Sequence, residues 1–439
     1  MHAGSTRAEE RDTQVRSMPA SAAEEFDDRQ IDSLFQSPFR SLGFQRYWIG
    51  RLCAIFATQM QSVAVGWQVY EMTRQPLDLG FVGLAQFLPA LGLVFVTGHV
   101  ADRYDRRYVL AACIAVEALC ASVFFGLTVT GHMSRGWIFA ALVLFGTARA
   151  FEFPASFALM PNLVPSSQFA KAAAWNSSTW QVGTIVGPAL GGLLYAFGPG
   201  GVYGLCVGLL LCGALLVSLI PREHVTMTER KHKAVTWTSV AAGLHFIRQQ
   251  PIVLGAISLD LFAVLLGGAV ALLPIYAKDI LLVGPWGLGL LRSAPAIGAL
   301  TTALYFTQRP IRKRAGVMLL AAVGVFGLAT IGFALSHTLW VSMVMLALCG
   351  MADMVSVVIR RVIIQLATPD EMRGRVGAVE SVFIGASNEL GEFESGVTAA
   401  WFGTIPAAVL GGVGTITVVI FWSWLFPQLR RVDAMEEVG

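Results

Sequence analysis

Gly98-His-Val-Ala-Asp102-Arg103-Tyr-Asp105-Arg106-Arg107 is a short, strongly charged stretch set between two long apolar ones. The run from about Leu79 to Thr97 precedes it, and the run from about Val109 to Thr130 follows. Each is long enough to cross a hydrocarbon core of about 30 Å, which takes about 20 apolar residues. A link this short and this charged must join two antiparallel spanning helices at one membrane face.

The same arrangement recurs along the chain. Of its 439 residues 55% are hydrophobic and 13% charged, with mean hydropathy +0.64. Soluble domains carry about 25% charged residues, so this chain lacks the polar surface to cover a globule in water. Apolar spans are read at 46–70, 78–98, 107–130, 136–160, 172–196, 200–220, 252–277, 286–306, 315–335, 338–362, 375–401 and 404–426. The expected fold class is an all-α polytopic membrane protein with twelve transmembrane helices; a β-barrel would need short alternating segments instead.

Charge sidedness gives the orientation. One set of loops carries Arg103, Arg106, Arg107, Lys171, Arg222, Arg230, Lys231, Lys233, Arg309, Arg312, Lys313, Arg314, Arg360, Arg361, Arg373, Arg375, Arg430 and Arg431. The other carries Arg74, Arg135 and Lys278. The positive-inside rule then puts both termini in the cytoplasm. The expected organisation is a disordered tail (1–36), a six-helix bundle (37–221), a cytoplasmic linker with an amphipathic helix over 236–250 (222–251), a second six-helix bundle (252–426) and a tail (427–439).

The two halves repeat. Leu88-Pro-Ala-Leu-Gly92 matches Ala294-Pro-Ala-Ile-Gly298, and Leu163-Val-Pro165 matches Ala367-Thr-Pro369. At nearly the same offset Gly187 falls on Gly391, Gly192 on Gly396, Gln86 on Arg292 and Arg149 on Asp353. A direct repeat of six spans predicts two pseudo-symmetric bundles with a pathway between them.

Three stretches carry chemistry. In the opening loop, a carboxylate such as Asp102 is stabilised if it meets a helix N-terminus, while Arg103, Arg106 and Arg107 can exchange carboxylate partners between conformations. The plain alternative is a solvated loop. In span five, Gly183, Gly187 and Gly191 make a groove for a close helix neighbour, and Pro188 beside them removes a backbone hydrogen bond. Gly192 continues the stretch. In span eleven, Asn388-Glu389-Leu-Gly-Glu392-Phe-Glu394 sets three carboxylates inside a membrane helix, where they must face protein or a wet cavity. Glu389 and Glu392 share a face; Glu394 points away. Such paired, buried carboxylates are suited to taking up and releasing protons near neutral pH. Their plain alternative is a structural pair with Arg149 or Arg292. Gln59, Gln68, Gln86, Glu152, Asp260 and Asp353 complete the intramembrane polar set, and Glu117 stands apart from it.

Gly98-x-x-Ala101-Asp102-Arg103-x-x-Arg106-Arg107 resembles the signature between the second and third helices of the major facilitator superfamily, departing from it at Val100 and Asp105. The resemblance implies a gating role for Gly98, Asp102, Arg103, Arg106 and Arg107, with Asp102 reaching the start of span eleven near 371–374. Gly183-x-x-x-Gly187-Pro188-x-x-Gly191-Gly192 is similar to a signature of the superfamily's exporters. Gly146-Thr-Ala-Arg149 looks like its fourth-helix motif. More closely, Phe44-Gln-Arg-Tyr-Trp48, the stretches around Pro89 and Asp102, and the run from Gly385 to Gly396 resemble the enterobactin-exporter-like, or transmembrane secretion effector, branch.

The expected function is proton-coupled export of a siderophore or drug-like molecule by alternating access. Gln86, Arg149, Asp260, Arg292, Asp353, Asn388, Glu389 and Glu392 form the expected proton and substrate cavity. Import by the same fold is the alternative, and a membrane-embedded enzyme is the competing class. The seven histidines show no metal-ligand spacing, the six cysteines lie in apolar stretches, and no phosphate-binding G-x-x-x-x-G-K-[ST] loop occurs. No metal or cofactor is therefore expected. The expected partners are a small-molecule substrate, protons and the lipid bilayer of the bacterial inner membrane, with no nucleic acid, and the chain is expected to act as a monomer.

Overall fold

The structure, a computed structural model, describes residues 37–221, 237–309 and 314–432. It is helical throughout, with no strand among the described residues. The helices are α1 (Leu42–Thr73), α2 (Pro76–Arg103), α3 (Arg106–Val129), α4 (Arg135–Leu159), α5 (Phe169–Tyr195), α6 (Pro199–Ser218), α7 (Trp237–Gln249), α8 (Pro251–Leu266), α9 (Gly284–Gln308), α10 (Ala315–Ala334), α11 (Leu339–Ala367), α12 (Asp370–Phe402) and α13 (Thr404–Leu425). All but α7 are long. The expected N-terminal tail, 222–236 of the expected linker, 310–313 and 433–439 lie outside the described residues, while the start of the expected C-terminal tail forms a short helix over Pro427–Arg430 with Leu429 buried.

Local chemistry sets the helix starts. The Ser41 hydroxyl accepts from the Phe44 amide at 3.3 Å to cap α1. Proline opens α2, α6 and α8, where its missing N–H costs nothing. Asp105 caps α3, accepting from the Arg107 amide at 3.2 Å. Asp102 lies in the last turn of α2, and the helix-start carboxylate is Asp105. Asp105 stands where the superfamily signature has glycine, yet its φ is −61°, so the turn needs no left-handed residue.

Eight of the helical segments are individually long and apolar enough to cross a membrane. The long helices that fall short are α1, α5, α9 and α12; α1, α9 and α12 carry several of the polar residues described below, and α5 carries the glycine groove. A helix lined by protein and water on one side need not be apolar all round. The seventh span also differs from expectation. It breaks at Gly267-Gly268 and resumes as irregular helix over 269–280, so the continuous helix expected over 252–277 is interrupted.

The helices form two bundles. In the first, α1 packs on α5 and α6, α3 on α4 and α6, and α2 on α4; in the second, α11 packs on α9 and α10, and α13 on α8 and α10. Two seams join them, α2 against α12 and α5 against α9. The repeat is visible in the packing of equivalent glycines. A Cβ on Gly187 would stand 2.6 Å from Gln59 Cβ of α1, and one on Gly391 would stand 2.8 Å from Val264 O of α8. Gly192 faces Gly289 across one seam, and its repeat mate Gly396 faces Gly80 across the other. Gly183, Gly187 and Gly191 form the expected groove, filled by Ile55, Gln59 and Met60 of α1. With no hydrophobic force between helices in lipid, such close backbone approach is a principal source of association.

The amphipathic helix α7 packs on the start of α12. Ile247, Val253, Val376 and Val379 share one buried cluster, and a Cβ on Gly243 would meet Arg375 O at 2.7 Å.

Candidate functional site

A cavity of about 200 Å³ lies between the bundles, lined by Gln59, Gln61, Ser62, Gln86, Arg149, Pro274, Arg292, Glu389 and Glu392 among others. It therefore collects residues from α1, α2, α4, α9, α12 and the segment after the α8 break. Arg149 sits over the Phe145 ring at 5.9 Å, and Arg292 Nη1 donates to Ser62 O at 3.4 Å. Arg149, Arg292, Glu389 and Glu392 make no ion pair with one another among the described residues. The structural pairing offered as the plain alternative for the α12 carboxylates is thus absent from this conformation.

Both carboxylates converge on α2. A Cβ on Gly83 would stand 2.8 Å from Glu389 Oε2 and 2.9 Å from Glu392 Oε2. Any larger residue at position 83 would have to displace both carboxylates. Glu394 points elsewhere, accepting from Thr398 Oγ1 at 2.6 Å.

A second cavity of about 310 Å³ adjoins the first inside the second bundle and shares Glu392 and Val270 with it. Asp353 and Asn388 line this second space rather than the central one. Asp260 is also displaced from the expected cavity. It pairs with Arg360, which reaches Glu380 at 3.4 Å as well. The first bundle carries a counterpart with the charges exchanged, Arg51 of α1 paired with Glu152 of α4. Glu117 of α3 is fully buried, and neither of its carboxylate oxygens has a hydrogen-bond partner.

At one end of the cavity the two bundles are tied together. Call the end bearing Arg103 and Arg375 the basic face. At the opposite face Arg74 pairs with Asp279 at 3.0 Å, Lys278 with Glu71 at 2.8 Å, and Tyr70 donates to Asp279. There the apolar core runs unbroken from one bundle into the other through Leu272, Tyr276, Leu288 and Leu291. Along α12 toward the basic face the glycines lose close neighbours among the described residues. A Cβ on Gly396 would stand 2.9 Å from Gly80 Cα; on Gly385 it would meet only the Phe87 ring, at 3.9 Å; on Gly377 or Gly374 it would meet nothing within 4 Å. The second bundle has its own core at this end, around Leu259, Leu319 and Ile359.

The opening loop is tied to its own bundle. Arg106 Nη1 donates to Ala158 O at 3.0 Å. Arg107 pairs with Asp105 at 2.8 Å and donates to Ile220 O at 2.6 Å. Arg103 is exposed. The side chains of Gly98 and Asp102 lie outside the described residues, and so does the expected contact of Asp102 with 371–374.

Sequence reasoning missed Gln61 and Ser62 of α1. The signal was present in the polar series Thr58, Gln59, Gln61 and Ser62, whose members line the cavity together. It placed Gln68 in the cavity set, whereas Gln68 accepts from Tyr203 Oη at 2.7 Å within the first bundle.

A family model described as transmembrane secretion effector matches residues 33–438. An enterobactin exporter, EntS, of Salmonella choleraesuis is 26% identical over 396 residues, covering 88% of this chain and 93% of that protein. The EntS of Escherichia coli O1:K1 is 27% identical, covering 88% and 92%. Among solved structures, a bacterial homologue of the human lysosomal transporter Spinster, inward-facing and occupied, superposes with TM-score 0.69 at 15% identity, covering 90% of this chain and 98% of that one. A bacterial homologue of the iron transporter ferroportin, inward-facing, gives 0.65 at 19%, covering 88% and 100%. These relatives are transporters, not enzymes. The chain belongs to the transmembrane secretion effector family of the major facilitator superfamily and is a membrane-embedded transporter.

Proposed function

We propose that the chain is a proton-coupled exporter of a bulky organic molecule, siderophore-like or drug-like, working by alternating access in the bacterial inner membrane with its basic face in the cytoplasm. One observation carries this reading: two arginines and two glutamates line a single inter-bundle cavity without pairing. Unpaired charge at membrane depth is costly, so it is retained for something that arrives there. Arg149 and Arg292 suit an anionic group on the substrate, since guanidinium binds carboxylate and catecholate oxygens with two donors at once. Glu389 and Glu392 suit protons.

The carboxylates also press on Gly83 at the α2–α12 seam. Protonation and bundle rocking therefore act on one helix. The loop residues Gly98, Asp102, Arg103, Arg106 and Arg107 serve as the basic-face gate in this reading, closing when α2 swings toward α12. The export signature on α5 and the enterobactin export for which the EntS relatives are named support the outward direction.

Inside-out vesicles test it. With an acid lumen, a catecholate siderophore or a hydrophobic dye should accumulate in wild-type vesicles, and the double variant Glu389→Gln, Glu392→Gln should not respond to the gradient. Accumulation that persists unchanged when the gradient is collapsed, or full activity in the double variant, overturns proton coupling.

A further inference from the structure

The second cavity has a chemistry unlike the central one. Its walls are apolar and partly aromatic, from Phe326, Phe333 and Leu346, and its polar groups are Asp353, Asn388, Glu392 and Thr330, with the Cys349 thiol alongside. No lysine, arginine or histidine lines it. Asp353 has no hydrogen-bond or ion-pair partner among the described residues. The nearby guanidinium of Arg360 is already held by Asp260 and Glu380.

The backbone adds to the same sign. The helix α8 ends at this cavity, where Gly267 and Gly268 form part of the wall. The carbonyls of its last turn point toward α12: a Cβ on Gly391 would stand 2.8 Å from Val264 O and 3.0 Å from Leu265 O. A helix C-terminus carries the negative end of the peptide dipole, and broken membrane helices use such ends to hold cations. Two carboxyl groups, a helix C-terminus and no basic residue thus surround an apolar space.

We propose that this cavity is a binding subsite for the cationic, aromatic or lipophilic part of a transported molecule, with Asp353 and Glu392 facing the positive charge and Phe326 and Phe333 the apolar body. The proposal rests on the transporter reading above and narrows its substrate class. A molecule bearing both signs would be read by two neighbouring chambers, anionic groups at Arg149 and Arg292, cationic groups at Asp353. Glu392, which borders both chambers, would be the one carboxyl group that substrate and proton share.

Equilibrium binding to the purified full-length protein in nanodiscs tests this, with empty nanodiscs subtracting partition into lipid. The probe is radiolabelled tetraphenylphosphonium, and the competitor is tetraphenylborate, of the same shape and opposite charge. Tetraphenylphosphonium should bind and tetraphenylborate should not displace it. Asp353→Asn should weaken binding by tenfold or more, about 1.4 kcal/mol per factor of ten, whereas Asp353→Glu retains it. Phe326→Trp, which fills the space without touching a charge, should also weaken it and serves if Asp353→Asn fails to fold. Equal displacement by tetraphenylborate, or wild-type affinity in both Asp353→Asn and Phe326→Trp, overturns the proposal. Because binding needs neither a sealed compartment nor a gradient, cation binding without gradient-driven transport would leave the subsite standing and remove the proposed function. Transport without cation binding would do the reverse.

Discussion

Gly80 of α2 and Gly396 of α12 meet backbone to backbone. A Cβ on Gly396 would stand 2.9 Å from both the Cα and the amide nitrogen of Gly80. Backbone cannot step aside as a flexible side chain can, so this contact exists only while both residues are glycine. It belongs to the conformation described here.

Gly396→Val should therefore disfavour the conformation described here more than it disfavours folding. Overpacking of this kind costs about 1–3 kcal/mol, enough to shift a conformational equilibrium about 5- to 150-fold. Distances between spin labels on α2 and α12 at the opposite face should lengthen. An unchanged distance distribution in a folded variant would show that the seam has slack.

The ion pairs at the opposite face should act as a weaker latch. Lys278 is largely covered and Glu71 half exposed, with a separation of 2.8 Å. Partly exposed pairs contribute about 0.2–1 kcal/mol. Lys278→Glu should thus bias the molecule toward opening at that face by a few-fold, and adding Glu71→Lys should restore the balance. Labelling rates of a cysteine placed in the cavity read this, and a double variant no better than the single would exclude a direct pairing effect.

The exchanged charge pairs inside each bundle should matter for stability rather than for rocking. Asp260–Arg360 and Glu152–Arg51 each join two helices of one bundle. Removing one member strands a buried charge at about 3–5 kcal/mol. Arg360→Met should lower the thermal midpoint in detergent markedly, and Asp260→Asn combined with it should recover much of the loss. No recovery would mean that Arg360 acts chiefly through Glu380.

Two glycines of the first bundle give a paired test of packing. Gly191→Ala places its methyl 2.8 Å from Met60 Cα and O, and should destabilise by about 1–3 kcal/mol. Gly126→Ala meets nothing within 4 Å and should lie within about 1 kcal/mol of wild type. Equal midpoints for the two variants would contradict the close α1–α5 contact.

Much of the site was legible because charge inside a membrane is rare and each instance stands out. Arg149, Arg292, Glu389, Glu392 and Gln86 line one cavity, as the polar inventory of the spans led one to expect. Asp260, Asp353 and Asn388 carried the same signal but sit elsewhere, because hydropathy reports depth and not direction. A carboxylate facing Arg360 and one facing an empty chamber look alike in a string of letters. In the opening loop Asp102 and Asp105 are both acidic near a turn, and only the observed end of α2 at Arg103 shows that Asp105 caps α3.

The sequence by itself determined that this is a bundle of membrane helices built from a twofold repeat. Span length, loop charge and recurring glycine and proline positions are local quantities, and the bilayer forces every backbone group to be satisfied within its own helix. Tertiary structure alone decided which charges meet, which glycines form the seams, where the seventh span breaks, and that the bundles are tied together at the face opposite the basic one. Those outcomes depend on contacts between helices hundreds of residues apart, such as Gly80 with Gly396 and Glu71 with Lys278, and no single stretch of the chain encodes them.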